Sequence, residues 1–360
     1  MPAPPHHLDA FPSRRTAALG MLAAPLAVAP LVGGALAACS ATAAGAYRGF
    51  DGGGPWLNSR PLRTGDLLGK VVLVNFWTYT CINSLRPLPY LRAWADRYRD
   101  RGLVVVGAHA PEFSFEHELP RVRTAVADLG VRYPVVLDND FWIWRSFRNG
   151  AWPGFYVLDA QGRVRHQRLG EGDYDHTERV IQALLGQLRG GEVDDAIRPV
   201  AGVGPEASPD WDDLESPESY TGYGKAERFA GALRRDVAHQ YTAPALLAPN
   251  GWSLSGPWTM RSEFAETTSG HGRLAYRFHA RDLHLVMGPG RGDRPVGFRI
   301  TLDGAAPGMD HGWDVDAAGR GELREARMYQ LVRQVGPVRD RTFEIEFEAA
   351  DARAYCFTFG

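Results

Sequence analysis

"VVLVNFWTYTCINSL", residues 71–85, runs from an unbroken apolar stretch through a polar turn into the start of a helix, and a cysteine stands at the join. Val71 to Phe76 shows no alternation of apolar and polar residues, which predicts a central strand buried on both faces. Beyond the cysteine, apolar residues recur at Leu85, Leu88, Leu91, Trp94, Ala95 and Tyr98 with charges between them. That spacing predicts an amphipathic helix over Ser84–Arg99, with Pro87 in its first turn. Cys81 thus stands where a buried strand meets a helix N-terminus. Unpaired backbone N–H groups and the helix dipole favour an anion there, so the expectation is a lowered thiol pKa and a nucleophilic sulfur.

Working outward, residues 56–68 read as a small hairpin or loop. Leu103–Ala108 is a second buried strand, followed by a helix over Phe115–Leu129, a strand at Val135–Leu137 and a helix over Phe141–Phe147. After Trp152-Pro153, Gly154–Leu158 and Val164–Arg168 form a hairpin around Asp159-Ala160-Gln161-Gly162, and Asp175–Leu188 forms a closing helix. This order predicts an α/β domain with a mixed sheet and helices on both faces, over 55–190. Residues 191–219 are acidic and rich in Pro, Gly and Ser, the composition of a linker. From 220 to 360 short alternating runs take over, at Trp252–Ser255, Arg273–His279, Leu283–Met287, Val296–Leu302, Glu322–Leu331, Phe343–Phe347 and Tyr355–Phe359. They predict an all-β sandwich, of the jelly-roll kind found in carbohydrate-binding modules. No internal repeat relates the halves.

The chain has 360 residues, a formal charge of −2 and 44% hydrophobic residues, enough for two cores. That charge excludes a uniformly basic nucleic-acid surface. Ser13-Arg14-Arg15 precedes an Ala-rich run broken by Pro25 and Pro30, so residues 1–39 read as an export signal and not as a membrane span. The arginines resemble a twin-arginine signal, while Ala18 and Leu19 depart from it, which leaves the general secretory route open. Leu36-Ala37-Ala38-Cys39 resembles a bacterial lipobox, in which Cys39 would be acylated; cleavage at the small residues just after the run is the other reading. Either way the mature protein, with a linker at 40–54, is expected to be periplasmic or in the cell envelope, touching the membrane only through a lipid anchor. Three cysteines, at 39, 81 and 356, make no disulfide framework.

"FWTYTCIN", "LPYLRAWA", "DNDFWIWRSF", "WPGFYVLDAQGRVRH", "GEGDYDHTE" and "YTGYGKAERF", in that order, resemble the soluble carboxy-terminal part of DipZ-type thiol-disulfide proteins. The first part is similar to thioredoxin-like domains of the TlpA and AhpC/TSA type. The resemblance implies that Cys81 is the attacking cysteine and that Pro153 is a cis-proline facing it beside a groove for an extended peptide. Asn75 takes the position where a thioredoxin holds a proton-accepting aspartate, and Glu112 is the replacement candidate. The departure is Ser84, which stands where the second cysteine of a Cys-x-x-Cys pair is expected. Serine stores no electrons, so the site forms mixed disulfides and needs another thiol to leave them; its hydroxyl is left to cap the helix or to hydrogen-bond the thiolate.

Cys356 lies in the last strand between Tyr355 and Phe357, where a core or neutral surface position is expected and a resolving role is the lesser reading. Trp252, Trp258 and Trp313 suit either the core or stacking on sugar rings. The Gly-rich "GPGRGDRP" at 288–295 is a turn and not a phosphate loop. The expected function is therefore thiol-disulfide exchange, as oxidoreductase, isomerase or monothiol peroxidase-like activity, without a cofactor. The partners would be protein thiols and disulfides or low-molecular-weight thiols, with carbohydrate at the sandwich. The alternative is a non-redox binding protein in which the first domain is only a scaffold.

Overall fold

The protein is described from a computed structural model that covers residues 49–191, 196–290 and 294–360. The stretch read as an export signal (1–39), Cys39 and the Arg-Gly-Asp part of the 288–295 turn lie outside the described residues.

Strand β1 (Trp56–Leu57) and the short helix α1 (Thr64–Leu67) precede β2 (Val71–Trp77). Residues 71–74 of β2 are at most 2% exposed because the strand has a core on each side. Val71, Leu73 and Trp77 enter one cluster, while Val72, Val74 and Phe76 enter the other, which is why the sequence shows no alternation. Burying such side chains contributes roughly 1.5–3 kcal/mol each. The predicted helix over 84–99 is instead two pieces, α2 (Ile82–Leu85) and α3 (Leu88–Tyr98). Pro87 has no N–H with which to continue the first piece, so it begins the second, where its carbonyl receives the Leu91 N–H.

There follow β3 (Leu103–His109), α4 (Leu119–Asp128), β4 (Val135–Leu137), α5 (Trp142–Ser146), β5 (Gly154–Leu158), β6 (Val164–Leu169) and α6 (Tyr174–Arg189). The helix predicted over 115–129 opens as a 3-10 turn at Ser114–His117 and becomes α-helical only at Leu119, with Pro120 in its first turn. The sheet order is β1-β4-β3-β2-β5-β6. β2, β3 and β4 run parallel, and β5, β6 and β1 antiparallel to their neighbours. This is the mixed thioredoxin-like sheet with helices on both faces.

The second half contains β7 (Ser219–Tyr220), β8 (Ala238–Tyr241), β9 (Trp252–Met260), β10 (Ala265–Thr267), β11 (Gly272–Phe278), β12 (Asp282–Pro289), β13 (Val296–Leu302), β14 (Arg320–Leu323), β15 (Arg327–Arg333), β16 (Arg341–Phe347) and β17 (Ala352–Phe359). Two antiparallel sheets enclose one aromatic core, and β9 belongs to both. Trp252–Ser255 pairs with β11, and Trp258–Met260 with β10. Between them Gly256, at φ +89°, and Pro257 turn the strand from one sheet to the other. The single strand expected over Glu322–Leu331 is two, since β14 pairs with β13 in one sheet and β15 with β12 in the opposite one. Alternation of side chains carries no sign of such a crossing.

The two halves share an apolar cluster in which Tyr79, Ile82, Leu85, Phe113 and Phe115 meet Val286, Met328, Tyr355 and Cys356. Arg92 of α3 also holds both carboxylate oxygens of Glu206, in the stretch read as linker, at 2.7 and 2.6 Å.

Candidate functional site

Cys81 ends the turn after β2 and caps α2, receiving at its carbonyl the N–H groups of Ser84 and Leu85. It is 5% exposed and is a free thiol. The expectation of a lowered pKa fails: burial pushes the thiol well above its ordinary value, and the negative charges of Glu218 and Glu112 push it further. Four residues of helix supply little dipole to set against this. Ser84 acts in the opposite direction through its hydroxyl and amide. The hydroxyl is fully buried and reaches no partner at full hydrogen-bond geometry.

Asn75 is buried in β2 with Nδ2 3.4 Å from the Phe76 carbonyl and 3.5 Å from that of Gly154, both long contacts. The buried acid is Glu116, which is 0% exposed. Its carboxylate accepts the Thr80 hydroxyl at 2.5 Å and the backbone N–H groups of Glu112 and Phe113 at 2.5 and 2.9 Å. Burial raises Glu116 to about 7, although these hydrogen bonds oppose the rise. Beside it, Thr78 Oγ1 lies 3.3 Å from His109 Nε2, and burial lowers His109 to about 3, so this imidazole is neutral.

Glu112 turns toward the second domain. Its carboxylate accepts the Tyr220 hydroxyl and lies 3.3 Å from Lys225 Nζ, which sits 4.2 Å from the centre of the Tyr220 ring. The Tyr220 hydroxyl also lies 3.0 Å from Glu218. Glu218 is itself raised, by burial of its carboxyl and then by Glu112, while the Tyr220 hydroxyl, Lys225 and Cys356 oppose the rise. Thr80, the residue before Cys81, is thus hydrogen-bonded to Glu116, which also holds the Glu112 backbone, while the Glu112 side chain reaches across to Tyr220 beside Glu218.

On the other side of Cys81, Arg86 forms a buried ion pair with Glu171 at 2.7 Å and donates to the Phe359 carbonyl at 2.7 Å. Pro153 follows a cis Trp152–Pro153 peptide bond at the start of β5, and its carbonyl accepts the Gly170 N–H at 2.8 Å. Cys81, Ser84, Pro153 and Glu112 are the residues that the sequence singles out, and Glu116, Arg86 and Glu171 are not among them. Glu171 and the Tyr220/Lys225 pair lay inside quoted strings, but only folding brings them to the cysteine.

Trp252 and Trp258 are 0% exposed and belong to the sandwich core, so neither stacks on a sugar. Trp313 is 68% exposed. It lines a cleft of about 600 Å³ with Tyr79, Arg92 and Arg327. Among the described residues, no helix is long and apolar enough to cross a membrane.

Residues 54–167 match the AhpC/TSA family, and residues 216–360 match the family described as thioredoxin like C-terminal domain. The chain is 35% identical over 263 residues to Protein DipZ of Mycobacterium bovis and to that of Mycobacterium tuberculosis, covering 71% of this chain and 37% of the relative. It thus spans little more than a third of those relatives' length. The thiol-disulfide oxidoreductase YkuV of Bacillus subtilis is 26% identical over 132 residues, 37% of this chain and 88% of its own. A thioredoxin-like protein solved in its oxidized form is 26% identical over 37% of this chain and 88% of that one, with a TM-score of 0.34. The chain belongs to the thioredoxin-like proteins, joins an AhpC/TSA-family domain to the thioredoxin-like C-terminal domain, and is a homologue of part of DipZ.

Proposed function

We propose that this chain is an exported thiol-disulfide oxidoreductase that acts through Cys81 on protein thiols and disulfides, or on low-molecular-weight thiols, outside the cytoplasm, tethered by a lipid at Cys39. The observation that carries the reading is the setting of Cys81: a free thiol at the strand-to-helix join, with Ser84 at the fourth place and a buried acid hydrogen-bonded to Thr80. In the forward step the Cys81 thiolate attacks one sulfur of a partner disulfide. A new S–S bond forms, the old one breaks, and the departing thiolate leaves with the electron pair and takes up a proton. Glu116, raised to about 7 by burial, holds Thr80, the residue before Cys81, through a hydrogen bond and so positions the turn that carries the thiol. Glu112 and Glu218 set the resting charge around the thiol. Cys81 is almost closed off, so a partner reaches it only when the residues packed around it move apart.

The test is reduction of a disulfide-bonded protein substrate by a low-molecular-weight dithiol in the presence of the full chain. Acceleration by the wild type and its loss in Cys81→Ala are expected. Equal acceleration by Cys81→Ala would remove the redox reading.

A further inference from the structure

The sandwich turns one strand toward the Cys81 turn, and that strand carries the other described thiol. β17 pairs with β12 through a register shift, with Val286 opposite Cys356 and Met287 opposite Ala354, which leaves Tyr355 without a partner in β12. The extra residue sends side chains to two sides. Ala352, Ala354, Phe357 and Phe359 enter the sandwich core, whereas Tyr355 and Cys356 join the cluster of the thioredoxin-like domain. β17 is fixed to the Cys81 segment at both ends. Tyr355 packs on Phe115 with ring centres 4.9 Å apart, and Phe115 on Tyr79 at 6.3 Å. At the far end the Phe359 carbonyl accepts Arg86. Cys81 lies between Tyr79 and Arg86 in sequence, as Cys356 lies between Tyr355 and Phe359. Tyr220, directly opposite Cys356 in β7, shares its face and reaches Glu112. The charges of Glu218 and Glu112 act on both thiols.

We propose that Cys356 is the resolving thiol that the Cys-x-x-Ser site lacks. This rests on the reading of Cys81 as the nucleophile. The Cys356 thiolate attacks Cys81 Sγ in the mixed disulfide, the Cys81–Cys356 bond forms, and the partner's thiolate departs and takes the proton that Cys356 released. One partner disulfide becomes two thiols while the chain's two thiols become one interdomain disulfide. A dithiol reductant, protein or small molecule, returns it to the free thiols.

The experiment treats the reduced full chain, carrying Cys39→Ser, with one equivalent of the aromatic disulfide 5,5′-dithiobis(2-nitrobenzoate), and reads released nitrothiobenzoate and the intact mass. The inference expects about two nitrothiobenzoates per reagent consumed, a protein lighter by the two hydrogens lost, and a Cys81–Cys356 linked peptide after digestion. Cys356→Ser then releases about one and keeps the adduct on Cys81. A wild-type chain that stops at an adduct on Cys81, or carries separate adducts on both cysteines, overturns the resolving role and leaves Cys81 as a nucleophile. A folded chain whose Cys81 does not react overturns both. The wild-type stoichiometry decides the matter even if Cys356→Ser fails to fold.

Discussion

Ser84 shows how a side chain that is polar in sequence can stand buried without a partner. A buried hydroxyl left unpaired costs about 1–3 kcal/mol, so Ser84→Ala is expected to leave thermal stability unchanged or slightly raised. The same change removes the hydroxyl, which together with the Ser84 amide lowers the Cys81 pKa, and the thiol should become slower to alkylate. A fall in melting temperature of several degrees would mean that Ser84 has a partner in solution. Glu116 makes a prediction in pH. Its folded value, about 7, lies above the ordinary value of 4.5, so the folded state binds more protons between those limits. Its contribution to stability is therefore fully present below pH 4.5 and is lost as pH rises through 7, by on the order of 3 kcal/mol. Urea unfolding from pH 4.5 to 7.5 should show that slope in the wild type and a flatter one in Glu116→Gln; equal slopes would deny the shifted acid. Cys81 itself was legible because one cysteine at a strand-to-helix join is a local pattern. Its raised pKa was not, because the burial that chiefly raises it, and then the charges of Glu218 and Glu112, come from the folded arrangement of distant parts of the chain.

At the scale of elements, β2 was readable to within a residue, since four successive apolar side chains, followed after Asn75 by Phe76 and Trp77, suit a strand with a core on each side. β4 was readable for the same reason. The break at Pro87 was misread because proline is equally at home in a first turn and between two helices. β14 and β15 were merged because passage between sheets leaves no trace in side-chain alternation. Arg86, at the end of α2, carries the strongest prediction at this scale. It joins the Cys81 helix to Glu171 and to the last strand with side-chain exposures of 3% and 8% for the pair. Burial already raises Glu171, and Arg86 is what opposes that rise. Arg86→Met leaves a buried carboxylate alone and should cost about 3–5 kcal/mol in chemical denaturation. Adding Glu171→Gln should recover part of the loss. A single variant as stable as the wild type would show that the pair is not buried in solution.

At the scale of the whole molecule, the second domain is part of the site's electrostatics. The sequence shows where its strands lie but not that Glu218 brings its charge to a cysteine more than a hundred residues earlier, or that Tyr220 and Lys225 reach Glu112. Removing the Glu218 charge should lower the Cys81 pKa, since a nearby anion disfavours the thiolate. Glu218→Gln is therefore expected to alkylate at Cys81 several-fold faster than the wild type at pH 7.5, with peptide mass spectrometry assigning the site. No change in rate would remove Glu218 from the neighbourhood of the sulfur.

The most direct measurement is the pH dependence of Cys81 alkylation in the folded full chain, compared with the same chain in denaturant. The account predicts a slow native reaction at Cys81 whose midpoint lies above that of the unfolded thiol, because burial and two carboxylates hold the proton in the closed arrangement. A native midpoint at or below the unfolded one would contradict it, and would mean that the second domain does not cover Cys81 in solution.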